Sequence, residues 1–258
     1  MKLLAKIALF FMLAGMVLAV TGLALGADTH IYWDRGFHIG EHTGRNVDFS
    51  FAEEFEDVQV RLNLANLTVE RGDIFRLHGH HNNTALLIDE SGGTLRITSQ
   101  GRRGVGGINI GFIGTSQEGH LTLTIPHGVS LADLDITLNA GNINIRDIEA
   151  QQAHLTSDLG NINATRVHFS DTRIESSVGN VDISGMLLGD ARVASDLGNV
   201  AVTLENSENE VSWSASAGLG RVSHNGQNRG GGTSGHSVNP SLTLDMSSGV
   251  GNVDVRFR

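Results

Sequence analysis

The chain contains no cysteine. That excludes disulfides, thiolate metal sites, cysteine nucleophiles and lipid attachment at a mature N-terminal cysteine. Proline is nearly missing, at 2 residues, and aromatic residues make up only 5% of the 258. So few rings argue against a conventional globular core built on bulky side chains. Lysine occurs only as Lys2 and Lys6, and the formal net charge is −10. With no basic face to neutralise phosphates, the chain is not expected to bind nucleic acid. The same balance disfavours simple adsorption to anionic lipid. Glycine is what the sequence has in abundance, at 33. Glycine enters positive-φ conformations at little steric cost, so many glycines mean many turns. It does not recur every third residue, which rules out collagen, and the regular spacing of aliphatic residues argues against disorder.

Residues 1–6 carry both lysines, and Ile7 to Ala27 carry no charge. As a helix, 7–27 would span about 31 Å at ~1.5 Å per residue, close to the ~30 Å hydrocarbon core. The lysines in front place the N-terminus in the cytoplasm and the rest outside. The run is longer than an ordinary signal-peptide core, which favours an uncleaved single-pass transmembrane anchor. A cleaved signal peptide stays open, because Ala24-Leu25-Gly26 offers a small-x-small site. Residues 28–44 are polar and contain His30, His38 and His42. They read as a linker.

A repeat follows. Gly141-Asn142, Gly160-Asn161, Gly179-Asn180 and Gly198-Asn199 are each 19 residues apart, inside NAGNINI, DLGNINA, SVGNVDI and DLGNVAV. A further copy, GVGNVDV, holds Gly251-Asn252, and GLGRVSH is a degenerate one with Gly220. Ile136, Leu155, Ile174 and Val193 stand five residues before the glycine. Ile143, Ile162, Val181 and Val200 stand two after it, and Ile145, Ala164, Ile183 and Val202 two further on. Alternation on both sides of the glycine is the period-two strand signature. Each repeat is therefore strand, Gly-Asn corner, strand and a looser return.

Nineteen residues are too few for a βαβ unit, and one such turn cannot bury enough to stand alone. The predicted fold is all-β: a parallel β-solenoid over residues 45–258, single-stranded and right-handed by the usual crossover preference. Upstream, Val58 to Val69 alternates and LANLTV echoes the corner, with Ala65 in place of glycine. GTLRITS and HLTLTIP are strands, GRRGVGG a loop, and GGINI at 106–110 another candidate corner. Residues 224–240, HNGQNRGGGTSGHSVNP, read as a flexible loop. Stacked corners would let the asparagine amides hydrogen-bond along the column. The final GNVDVRFR places Arg256 and Arg258 on what sequence order makes the terminal strand, where charge opposes end-to-end pairing.

Little here points to catalysis. His78, His80 and His81 in RLHGHHNN lack any specific ligand spacing and read as a solvated turn. Asp158 and Asp196 recur with the repeat, which is corner chemistry rather than a unique catalytic pair. Neither a nucleophile elbow nor a P-loop is present. No cofactor, metal site or enzymatic activity is expected. Asn66 and Asn163 begin Asn-x-Ser/Thr sequons, which chance explains.

NLANLTVERGD, LTLTIPHGVSLADLDITLNAGNINI, the serial Gly-Asn corners and the closing GVGNVDVRF together resemble a bacterial family of β-strand-repeat proteins. Its members are named as adhesins or as a domain of unknown function. The resemblance covers about residues 45–258 and carries over no catalytic residues. It implies a domain outside the membrane, often anchored by one N-terminal helix and sometimes tied to cell-envelope stress systems. The function that follows is an extracytoplasmic interaction or sensing module presenting an acidic face. Its partner would be a cell-envelope polymer, an envelope protein or a cationic peptide. The alternatives are a scaffold that grows by end stacking and, more remotely, a carbohydrate-active β-helix enzyme.

Overall fold

A computed structural model of the chain describes residues 31–33, 37–39, 45–81, 85–100 and 119–258. The apolar segment 7–27 and the candidate corner at 106–110 lie outside the described residues. Among the described residues no helix is long and apolar enough to cross a membrane. Within the stretch read as a linker, Ile31–Trp33 pairs antiparallel with Phe37–Ile39. That hairpin falls in a different compact unit from the sheet that begins near residue 44.

The main unit is all-β and solenoid-like. Its rungs each consist of two strands meeting at a corner. In chain order, rung 1 is Asp57–Leu64 with Asn66–Gly72, and rung 2 is Thr94–Gln100 with His120–Pro126. Rung 3 is Leu131–Ala140 with Ile143–Arg146. Rung 4 is Glu149–Leu159 with the first part of Ile162–Val178, whose second part opens rung 5 and leads to Val181–Leu187. Rung 6 is Gly189–Leu197 with Val200–Leu204, rung 7 Val211–Leu219 with Val222–His224, and rung 8 Leu242–Val250 with Val253–Phe257.

Pairing between rungs is parallel throughout, but the spatial order is not the chain order. Rungs 3, 4, 5 and 6 stack in sequence at the 19-residue period. Rung 1 lies directly against rung 3, and rung 2 lies outside rung 1. At the other end rung 8 lies against rung 6, and rung 7 lies outside rung 8. The order is thus 2-1-3-4-5-6-8-7.

The reason is legible in the caps. Ala85–Ser91 pairs antiparallel with the first strand of rung 2. Arg76–His81 pairs antiparallel with its second strand and carries Arg45–Ser50 outside it. On rung 7, Gly232–Gly235 and Gln227–Asn228 do the same. A rung that brings its own antiparallel cover has no edge left to offer, so it must be outermost. The plain rungs 1 and 8 fill the interior places. Two expectations are corrected here. Residues 224–240 are not a loose loop, because they supply hydrogen-bonded strands that close the sheet. The C-terminal strand is not terminal in space, because Val253–Val255 pairs with rung 6 on one side and rung 7 on the other. Arg256 therefore guards no end, and its guanidinium pairs with Asp254 at 2.6 Å.

The inward positions read from the repeat are buried, Ile136, Leu155, Ile174, Val193, Ile143 and Ile162 all at 0% exposure. The middle core is almost wholly aliphatic, with Phe169 its one large ring. Rings gather instead at the ends. Phe51, Phe55 and Phe75 stack edge to face near the rung 2 cap. Trp213, His224 and Phe257 meet near the rung 7 cap.

Candidate functional site

The corner column is the most specific feature of the sequence, and its geometry explains each residue type. At the glycine the strand turns through φ of 126° to 158° at Gly141, Gly160, Gly179 and Gly198. Corners of adjacent rungs also touch. A Cβ on Gly160 would stand 2.0 Å from the Gly141 carbonyl oxygen, and one on Gly179 1.9 Å from that of Gly160. Only glycine meets both demands.

The turn takes the backbone out of the regular ladder, which leaves corner donors and acceptors to be met by side chains. The Oδ1 of each asparagine accepts the backbone N–H of the asparagine one rung on. Asn142 donates to Asn66 at 2.8 Å, Asn161 to Asn142 at 2.9 Å and Asn180 to Asn161 at 2.8 Å. Asn199 donates to Asn180 and Asn252 to Asn199, both at 2.8 Å. The chain of bonds ends where Arg221 N–H meets Asn252 Oδ1 at 3.1 Å. Side-chain amides add a second bond at several steps, such as Asn142 Nδ2 to Asn66 Oδ1 at 2.8 Å. The column therefore runs from rung 1 to rung 7 and follows spatial order, not chain order.

A serine three residues before the glycine completes the unit. Ser157, Ser176, Ser195 and Ser248 are all buried. Each Oγ–H donates to the glycine carbonyl of the neighbouring rung: Gly141, Gly160, Gly179 and Gly198, at 3.2, 3.1, 2.8 and 2.7 Å. The repeating unit is thus Ser-x-aliphatic-Gly-Asn. The hydroxyls serve the corner carbonyls and the asparagine oxygens serve the backbone N–H groups of the next rung, so the column is built to hold the corners together.

A second bend six residues after the corner carries Asp147 and Arg166, both with positive φ. They form a two-pronged ion pair between rungs. The hydrogen bond from Arg166 holds the Asp147 carboxyl below the usual carboxylate range. The corresponding Arg71 of rung 1 donates to the carbonyls of Asp147, Pro126 and Val129. These contacts join the out-of-order rungs to the regular ones.

The histidines lie elsewhere. His78, His80 and His81 sit on the strand Arg76–His81 rather than in a turn. His80 faces His120 across the pair and contacts Asn46 Oδ1 at 3.3 Å. Burial, then the neighbouring His80, pushes His81 below the ordinary histidine pKa. Among the described residues no group of three acidic or histidine side chains is arranged to hold a metal ion. Of the sequon asparagines, Asn66 is buried in the corner column and Asn163 Nδ2 donates to Asn144 Oδ1 at 3.2 Å.

One set of residues goes against the strand pattern. The residue just before each corner should face inward by alternation. Instead Leu64, Leu159, Val178, Leu197, Val250 and Leu219 are exposed, Leu159 at 56% and Leu219 at 72%. The chain has already begun to turn at this point and lifts the side chain off the core. Strand pairing aligns these residues into one continuous row along the outside of the corners.

A regular parallel stack with a polar corner ladder and antiparallel caps defines a β-solenoid-like repeat domain. The family model for Toastrack DUF4097 matches residues 55–256, and the chain belongs to that family. No curated protein matches. Among solved structures, a Clostridium sporogenes protein provisionally named for cell adhesion is 14% identical, covering 83% of this chain and 100% of its own, with a TM-score of 0.48. A Bacteroides fragilis protein provisionally named an adhesin is 12% identical over 83% and 98%, at 0.34. A Parabacteroides distasonis protein provisionally named lipid-binding is 14% identical over 83% and 98%, at 0.35. Likeness of that order carries no inference about ligand or partner.

Proposed function

We propose that the chain is an extracytoplasmic, membrane-anchored interaction or sensing module of the bacterial cell envelope. Its solenoid offers an acidic surface to a partner outside the membrane. The observation that carries this reading is the closure of both ends. Antiparallel strands occupy the open edges of rungs 2 and 7, so end stacking is denied the parallel, full-width rung edge by which the repeat propagates. What is left is the long side, where the same polar and apolar positions recur rung after rung. That is the form in which repeat proteins present extended binding surfaces. Charge supports an envelope setting: both lysines precede the uncharged segment 7–27, and the remainder is strongly acidic. In this reading the segment stays as an anchor and the coil is right-handed. The partner is a cell-envelope polymer, an envelope protein or a cationic peptide, and acidic balance favours the last through electrostatic steering.

A reporter fused after residue 30 tests the topology. It should be accessible from outside in intact cells, with the protein in the membrane fraction. Release of a soluble chain beginning near Ala27 would overturn the anchor. A reporter found in the cytoplasm would overturn the whole reading.

A further inference from the structure

We propose that the exposed aliphatic row beside the corners is a docking surface for a cationic amphipathic peptide segment, with the notch at Ala140 taking one of its apolar side chains. The proposal rests on the reading of the chain as an interaction module and names its contact surface and partner chemistry.

The row is Leu64, Ala140, Leu159, Val178, Leu197, Val250 and Leu219 in spatial order, each residue in register with the next. Rungs lie ~4.8 Å apart, so the row is roughly 29 Å long. Stacking within the sheet accounts for a β-branched or aliphatic residue at such a position. It does not account for a line of exposed aliphatic residues, broken only at Ala140, running the length of the stack. The largest exposed apolar patch on a protein surface is often a functional one.

The row is interrupted once. Ala140 stands where its neighbours carry Leu64 and Leu159, and a notch of about 270 Å³ opens there. Leu64 and Leu159 form its walls, and the corner backbone of Gly141 and Gly160 its side.

Charge selects the occupant. Asp158 and Asp196 are exposed immediately beside Leu159 and Leu197, and Asp182 is exposed on the far side of the asparagine column. None of the three has an ion-pair partner among the described residues. Arg256 is engaged with Asp254, and Arg221 stands at the far end, on rung 7. A second copy placing its own row here would bring like carboxylates together. A peptide with apolar side chains on one face and basic ones beside them meets the aliphatic row and the carboxylates at once.

The test titrates the purified full-length chain with a short fluorescent peptide of alternating leucine and lysine. The leucine–glutamate counterpart is the control. The parent should bind only the basic peptide. Leu159→Ser with Leu197→Ser should weaken binding by about tenfold or more, the effect of one fewer buried leucine or greater. Asp158→Asn with Asp196→Asn should weaken it and flatten its salt dependence. Ala140→Leu extends the row and fills the notch. It should melt no lower than the parent yet bind more weakly. Unchanged binding by the leucine and Ala140 variants, still steeply salt-dependent, would overturn the row and leave the acidic-surface reading standing. Failure of the parent to bind the basic peptide at any salt concentration would overturn both.

Discussion

The middle of the solenoid and its two ends solve the same problem differently. Rungs 3 to 6 follow one another at a fixed 19 residues. There the corner groups are met by the next copy: glycine against glycine, serine on glycine carbonyl from rung 4 on, asparagine on asparagine. At the C-terminal end the chain steps over one place, builds rung 7 with its own antiparallel cover, and returns to fill the gap with rung 8; at the other end it lays rung 1, builds the covered rung 2 outside it, and crosses back over rung 1 to begin rung 3. The corner changes too. Rung 1 has Ala65 where the middle has glycine, rung 7 has Arg221 where the middle has asparagine, and the aromatic residues gather near both caps. The lesson is that a repeat specifies its own propagation but not its own termination. Termination needs a departure from the repeat.

The largest expected effect comes from treating the chain terminus as an end of the fold. Removing residues 242–258 takes out an interior rung and strands rung 7 with its cap. Circular dichroism should show loss of the cooperative melt. A simple drop of a few degrees would mean that the terminal rung is peripheral after all. Next come the glycines. Gly179→Ala places a Cβ against backbone at a φ unsuited to alanine and should cost about 3 kcal/mol or more. At the end, Ala65→Gly should cost only ~0.4–1 kcal/mol, through added freedom of the unfolded chain. Thermal or urea melts compare the two directly. Equal effects would remove the distinction between middle and end corners.

Asparagine is more graded. Asn161→Ala takes away a half-buried amide that accepts from the Asn180 N–H and donates to Asn142 Oδ1, and should cost ~1–3 kcal/mol. Asn142 is no weaker a site, although it stands in the first regular copy of the repeat. Asn66 of rung 1 continues the column beyond it. The gentler end is the other one, where the exposed Asn252 accepts only from Arg221 at 3.1 Å. Asn252→Ala should cost about 1 kcal/mol or less. The smallest effect is pH. Because burial depresses the His81 pKa in the fold, the unfolded chain takes up that proton first as pH falls. Its contribution is present above ~6.5 and declines below. Melting temperature should therefore fall between pH 7.5 and 5.5, with a shallower slope in His81→Gln. An unchanged slope would show that His81 is not the group responsible.

Much of the middle was legible in the sequence because period and geometry coincide there. Ile136, Leu155, Ile174 and Val193 repeat at the distance that brings them into register, so alternation alone marks them as core. Rung order at the ends was not legible. Parallel pairing depends on matching width and an open edge, neither of which records sequence distance. Gly251-Asn252 announced another corner but not its neighbours, which are 53 residues back at Asn199 and 31 back at Arg221. The run 224–240 looked loose because glycine and asparagine are turn formers. Here the turns belong to short strands that close an edge. The exposed row was hidden for the opposite reason. Leu159 and Leu197 have the parity of core residues, and only the lift of the backbone into the corner turns them outward. Serine at the inward position beside them was the available signal that the strand was leaving an aliphatic environment.

Because the chain is free of cysteine, the order of the end rungs can be read with introduced pairs. Arg192, Asp245 and Ser214 are exposed and lie in one row on rungs 6, 8 and 7. Adjacent rungs at ~4.8 Å fall within disulfide reach, whereas two rungs, ~9.6 Å, lie beyond the ~7 Å limit. Under mild oxidation Arg192→Cys with Asp245→Cys should form a disulfide, and Arg192→Cys with Ser214→Cys should stay reduced. The reverse outcome would mean that the rungs stack in chain order and that the account of the capped ends is wrong.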